Sequence, residues 1–388
     1  MQPSPFADVV LTVGVEVPYR RQAGAASTGD LLAEAFAAAL AESGFTANDV
    51  DGLGVASFTL APDHAIDLAW RLGLSPRWCM DDCHGGASAI NLLQHAIRAI
   101  QHGDAKVIAL VSGDRFEPAD FKQLVEHYNL TTRTWLRPLA NGGPNSLFAM
   151  LTQRHARQHG LTRRDYGALC VAQRAWAALN PRAVYRTPLT IDDYLEAPLV
   201  ADPLGRFDCV PVVCGANAVI VARADLVRHA KNVGVRALQC RYNLDHQEGD
   251  GLQTSLATIA GDLWRQAGTA PEEIDVVSVY DDYPVMALVQ LADLGFAPDG
   301  DLRGLISRIV ARELAVNTSG GQLSAGQAGA AGGMHGLVEA MTQLRGAAGE
   351  RQVEAARLAV VSGYGMVEYR YGMCANAVVL ESDLRGAQ

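Results

Sequence analysis

The sequence predicts an α/β protein whose two halves repeat one βαβ-rich pattern, and three observations carry that reading. Apolar stretches of strand length alternate with segments of helical periodicity, the signature of a largely parallel sheet covered by helices. The alternation breaks over residues 114–204 and then begins again. Short runs recur in the same order in both halves. Val107-Ile108-Ala109-Leu110-Val111-Ser112-Gly113 matches Leu358-Ala359-Val360-Val361-Ser362-Gly363, and Cys214-Gly215-Ala216-Asn217-Ala218-Val219 matches Cys374-Ala375-Asn376-Ala377-Val378. Two matches at corresponding strands favour duplication over chance identity of small residues.

Taken in order, residues 9–17 read as a strand and 28–43 as a helix that Ser27 or Thr28 can cap. Strands over 50–58 and 78–80 flank a short helix over 65–72. A small-residue turn, Cys83-His84-Gly85-Gly86, leads into a helix over 87–101. Residues 106–111 are a continuous apolar strand, expected to be buried on both faces. The excursion that follows holds Asn141-Gly142-Gly143-Pro144, helices near 147–159 and 165–179, and a stop at Asn180-Pro181-Arg182-Ala183. A segment this long between two strands reads as a cap over a site and not as a linker. The second half gives strands at 233–240, 274–280 and 314–317, with helices at 256–267, 285–294 and 330–344. The expected division is a first half over 1–228, carrying the insertion, and a second over 229–388.

Composition narrows the function classes. The hydrophobic share is 49% and the charged share 19%, the opposite of a disordered chain. Lysine and arginine total 32 against 42 acidic residues, a net charge of −10, which disfavours nucleic acid as a partner. No apolar run approaches the ~20 residues of a membrane span, and the first residues lack the basic lead of a secretory signal. Seven cysteines at irregular spacing do not form a disulfide framework. A cytoplasmic globule is expected.

Two loops draw attention. Cys83 is expected after a strand and at a helix start, where unpaired N–H groups favour a thiolate, and Gly85 and Gly86 leave room for a substrate carbonyl. Cys79, Cys83 and His84 have no second pair at zinc spacing, so no metal is expected. The glycine-rich run from Asn317 to Gly329 occupies the same place in the second half, and it lacks the lysine of a phosphate loop.

Together these residues resemble the thiolase superfamily along nearly the whole chain. Cys83-His84-Gly85-Gly86-Ala87-Ser88-Ala89 resembles the family's nucleophile run, and the second-half loop resembles its Asn-x-x-Gly-Gly…Gly-His motif. Gly160-Leu161-Thr162, Asn180-Pro181-Arg182-Ala183 and Gln290-Leu291-Ala292-Asp293-Leu294-Gly295-Phe296 resemble the sterol-carrier-type, or lipid-transfer-type, branch. The resemblance implies a five-layer αβαβα sandwich of two duplicated halves, a homodimer, and carbon–carbon chemistry beside a coenzyme A thioester. The thioester is the substrate, and no further cofactor is implied.

The sequence also departs from the family. The loop histidine falls on Gln327, which cannot take a proton at neutral pH. The Asn-Glu-Ala-Phe segment reads Tyr280-Asp281-Asp282-Tyr283, and the second thiolase cysteine falls near Ser362-Gly363-Tyr364-Gly365. The expected catalytic set is Cys83, Gln327, Tyr280 and Tyr364, with Tyr283 and His335 as further candidates for proton work. His84, Gly85, Gly86, Gly320, Gly321 and Gly326 are expected to bind substrate. The leading expectation is Claisen-type acyl transfer in lipid metabolism through a Cys83 acyl-enzyme. The alternatives are a retro-aldol lyase of acyl-CoA side chains, using tyrosines with a small partner of OB-fold and zinc-ribbon type, and an acyl-CoA- or lipid-binding protein without catalysis.

Overall fold

The computed structural model describes residues 5–127, 132–136, 138, 143–227, 231–243, 251–365 and 374–382. The first-half strands are β1 (Val9–Glu16), β2 (Gly52–Ala56), β3 (Trp78–Asp82) and β4 (Val107–Asp114), then β5 (Leu199–Ala201), β6 (Leu204–Gly205) and β7 (Gly215–Arg223). The second half supplies β8 (Val233–Tyr242), β9 (Val276–Ser278), β10 (Ala315–Val316), β11 (Leu358–Gly365) and β12 (Cys374–Ser382). Ten of these share one hydrogen-bonded order, β10-β9-β11-β12-β8-β1-β7-β4-β2-β3, while β5 and β6 pair with each other in the cap. Read outward from the centre, the order is β1-β7-β4-β2-β3 on one side and β8-β12-β11-β9-β10 on the other. The two halves therefore share one topology, joined where β1 meets β8 antiparallel. The expected division at 228/229, like Asn141 and Gly142 of the excursion, lies outside the described residues.

Helix Thr28–Ser43 forms where its apolar spacing predicts, with Ser27 accepting from the Asp30 amide and Gly44 closing the other end at φ 77°. It packs with helix His64–Arg71 on the outer face of the first half, while helices Leu256–Ala267 and Pro284–Asp293 cover the outer face of the second. Helices Ser88–His102 and Gly332–Leu344 touch each other and strands of both halves. They are the middle of five layers, and their apolar side chains fill the core between the halves. Among the described residues, no helix is long and apolar enough to cross a membrane.

One expectation is corrected at the turn after β3. The helix expected from residue 87 begins at Ser88, behind a separate 3-10 turn, Gly85–Ala87. Gly85 has a φ of 59°, outside the right-handed helical region, and His84 stands at the N-cap of the 3-10 turn, so Cys83 lies one residue ahead of that cap. Helices Pro118–His127 and Leu302–Val310 form where the sequence reading set none; the second starts at Asp301, whose carboxylate accepts from the Gly304 amide.

The repeated segments have a role in this arrangement. Asn217 on β7 donates to the Ala331 carbonyl, just before the second-half central helix. Asn376 on β12 donates to the Ala87 carbonyl, just before the first-half one. Each repeat thus anchors the helix entry of the opposite half. At the end of β4, buried Asp114 accepts at Oδ1 from the Ser57 and Thr59 hydroxyls and the Phe58 and Thr59 amides, and at Oδ2 from the Ala330 amide. Asp114→Ala removes the acceptor of the Phe58 and Ala330 N–H groups, leaving Thr59 its second acceptor on Ser57, and should cost on the order of 3 kcal/mol, read as a lower urea midpoint at unchanged slope. A loss below about 1 kcal/mol would contradict this role.

Candidate active site

The loops entering the two central helices face each other across a cavity of about 220 Å³. Its lining comes from both halves and the cap: Gly85 and Gly86, the segment after β9, Gln327 and Gly329, the end of β11, and Asn145 and Phe148 of helix Pro144–His159.

Three tyrosines meet here. Tyr280 and Tyr364 stand edge to face, with ring centroids 5.2 Å apart. The Tyr364 hydroxyl donates to Asp282. The Tyr280 oxygen accepts from the Gln327 side-chain amide at 2.7 Å, and that amide also donates to Gln322 at 3.1 Å. Tyr283 stacks on Phe148 at 4.2 Å and donates to Asn145 at 2.7 Å. Gln327 thus serves as a donor aimed at a phenol oxygen, the work its amide permits.

Burial governs the charges. It pushes Asp282 up to about 8, with neighbouring Asp281 adding to the rise and the Tyr364 hydrogen bond opposing it. Asp281 is raised to about 7, again chiefly by burial. Tyr364 is held well above the ordinary phenol value by burial and by the Asp282 carboxylate beside it. An acid and a phenol bonded to each other and withdrawn from water form a coupled pair.

Cys83 is exposed and does not line this cavity. The residue of its turn that abuts the tyrosines is Gly86: a Cβ there would meet the Tyr364 carbonyl at 2.4 Å and the Tyr280 ring at 2.5 Å. His84 pairs with Asp82 at 3.0 Å, stands edge-on to Tyr242, and has its pKa raised by the Asp82 hydrogen bond. Gly320 packs on Ala177, Gly321 on the Asp281 carboxylate and Gly326 on Val213, away from the lining. His335 is buried between Glu16 and Ser319, 2.7 Å from each. The cavity therefore brings together Gly85, Gly86, Tyr280, Tyr283, Gln327 and Tyr364.

Sequence reasoning named neither Asp282 nor Asn145 as a site residue. For Asp282 a signal existed, because two adjacent carboxylates after a buried strand, opposite a tyrosine-bearing strand end, are costly unless used. For Asn145 there was none, since its partner lies 138 residues away.

Asp282 supplies a test. Its folded pKa of about 8 lies above the unfolded value of about 3.9, so its protonated form favours folding. That contribution is full below the unfolded value and is lost as pH rises through about 8. Asp282→Asn should therefore flatten the fall in melting temperature between pH 5 and 8.5. Parallel curves for variant and wild type would refute the buried-acid assignment.

Residues 239–380 match the family model described as thiolase C-terminal domain-like. The chain is 32% identical over 359 residues to a 17-hydroxy-3-oxo-4-pregnene-20-carboxyl-CoA lyase of Mycobacterium tuberculosis, covering 87% of this chain and 91% of that one. It is 27% identical over 357 residues to a steroid side-chain-cleaving aldolase of Thermomonospora curvata, covering 87% and 90%. Among solved structures, an Ltp2–ChsH2(DUF35) aldolase superposes with a TM-score of 0.84 at 24% identity, covering 97% and 98%.

Proposed function

Because the chain belongs to the thiolase superfamily, in its sterol-carrier-type branch, we propose that it is a retro-aldol lyase that cleaves the side chain of a β-hydroxyacyl-CoA thioester. One observation carries the reading: Tyr280, Tyr364 and Asp282 occupy the cavity, while Cys83 lies outside its lining. The two lyase and aldolase relatives support the same chemistry.

The step balances with groups at hand. Tyr364 takes the proton of the substrate's β-hydroxyl as its own passes to the Asp282 carboxylate. The bond between the α- and β-carbons breaks, the β-carbon becomes a carbonyl, and the electron pair moves into the thioester enolate. Tyr280 protonates the α-carbon, and the Gln327 amide stabilises the resulting phenolate. Exchange with water resets both groups. Buried Asp282 is an effective acceptor because its raised pKa brings its basicity near working pH.

Tyr280→Phe and Tyr364→Phe should each lower the rate of carbonyl release by ~10²–10⁴-fold. Cys83→Ala should leave it within about twofold, and the wild-type rate should rise with pH toward about 8 as Asp282 ionises. A Cys83→Ala loss of the same size as the tyrosine losses, with acyl-enzyme visible by intact mass, would transfer the chemistry to the thiol.

We also propose a homodimer through the exposed edge strand β3, beside which Ile66 and Trp70 on helix His64–Arg71 are 67% and 80% exposed. A small OB-fold partner is proposed as well, since the superposed aldolase is described with a DUF35 component. Sedimentation of the isolated chain should give twice 41.3 kDa, and a monomer that persists at micromolar concentration would count against the dimer.

A further inference from the structure

The reaction cavity has a second kind of lining besides its polar groups. Phe58, Phe116 with Phe121, and Phe148 come from three separate segments and converge on it. Phe148 stands edge-on to Tyr364, with centroids 6.4 Å apart, so the aromatic wall begins beside a reacting hydroxyl. Phe58 comes within 3.6 Å of the space a Cβ on Gly85 would take. Phe116 and Phe121 form an edge-to-face pair at 5.9 Å. Rings in such arrangements present faces and edges to a further ring, where an extended chain gains only area.

The volume suits one ring. An apolar cavity of roughly 150 Å³ holds a benzene molecule. The 220 Å³ here accommodates one ring together with the few atoms that carry the hydroxyl and the thioester carbonyl.

We infer that the substrates are β-hydroxyacyl thioesters whose β-carbon carries a single six-membered ring, and that Phe58, Phe116, Phe121 and Phe148 select that ring. This rests on the lyase reading for the chemistry but not for the binding. Cleavage converts the ring-bearing β-carbon to an aldehyde or ketone and releases the shorter acyl-CoA. The hydroxyl proton leaves to Tyr364 and the α-carbon receives one from Tyr280.

Two measurements on the full chain, with any co-purifying partner retained, separate the claims. The first compares kcat/KM for 3-hydroxy-3-phenylpropionyl-CoA, 3-hydroxyhexanoyl-CoA and a tetracyclic 17-hydroxysteroid thioester. The second compares Kd for 3-phenylpropionyl-CoA and hexanoyl-CoA, which lack the hydroxyl and cannot be cleaved. The phenyl compounds should lead by about tenfold in each, the factor one or two aromatic contacts supply. Phe121→Ala should shift turnover toward the tetracyclic thioester, and Phe121→Trp should lower turnover of the phenyl one. Equal or faster wild-type cleavage of the tetracyclic substrate, or equal binding of the linear ligand, overturns the ring assignment. Preferred phenyl binding without cleavage of any substrate keeps the assignment and overturns the lyase chemistry.

Discussion

The fold depends on a reciprocal hydrogen bond. Asn217 and Asn376, both buried, each donate to the carbonyl preceding the central helix of the opposite half. In a water-free interior an unpaired amide costs far more than a paired one gains, so each asparagine fixes its strand against the other half's loop. Those loops carry Gly85 and Gly86 on one side and Gln327 and Gly329 on the other, the two facing edges of the cavity. The geometry of the cavity is thus set by the contact that holds the halves in register.

Duplication produced two loops and two strand ends, and the copies have diverged in purpose. The repeat that aligns Ser112-Gly113 with Ser362-Gly363 places Asp114 opposite Tyr364. Asp114 turns inward, accepts five hydrogen bonds and ties the second-half loop in place. Tyr364 reaches the cavity and bonds to another carboxyl group, Asp282. One copy braces a loop and the other lines the cavity.

Much of this was legible in the sequence. Strand and helix periodicity located most elements of both halves, though not helices Pro118–His127 and Leu302–Val310, and the Asn-Ala-Val repeats disclosed the duplication. Tyr280, Tyr364 and Gln327 could be named because they stand where the family resemblance places its site positions. The direction of Cys83 could not be read, because it depends on the φ of Gly85, which separates the cysteine from the helix behind it. Nor could the burial of Asp282 or its bond to Tyr364, which arise only when two strand ends 82 residues apart meet. Periodicity describes neighbours along the chain and is silent about such meetings.

The close approach of Gly86 to Tyr280 and Tyr364 bears on how such a site can evolve. A side chain at position 86 and the aromatic ring at position 280 compete for the same space, and the backbone carbonyl of residue 364 closes the remaining side. Cys83, three residues earlier on the same turn, lies outside that contact and coexists with the rings. Positions 86 and 280 are therefore coupled: a larger residue at 86 fits only once the ring at 280 has been reduced.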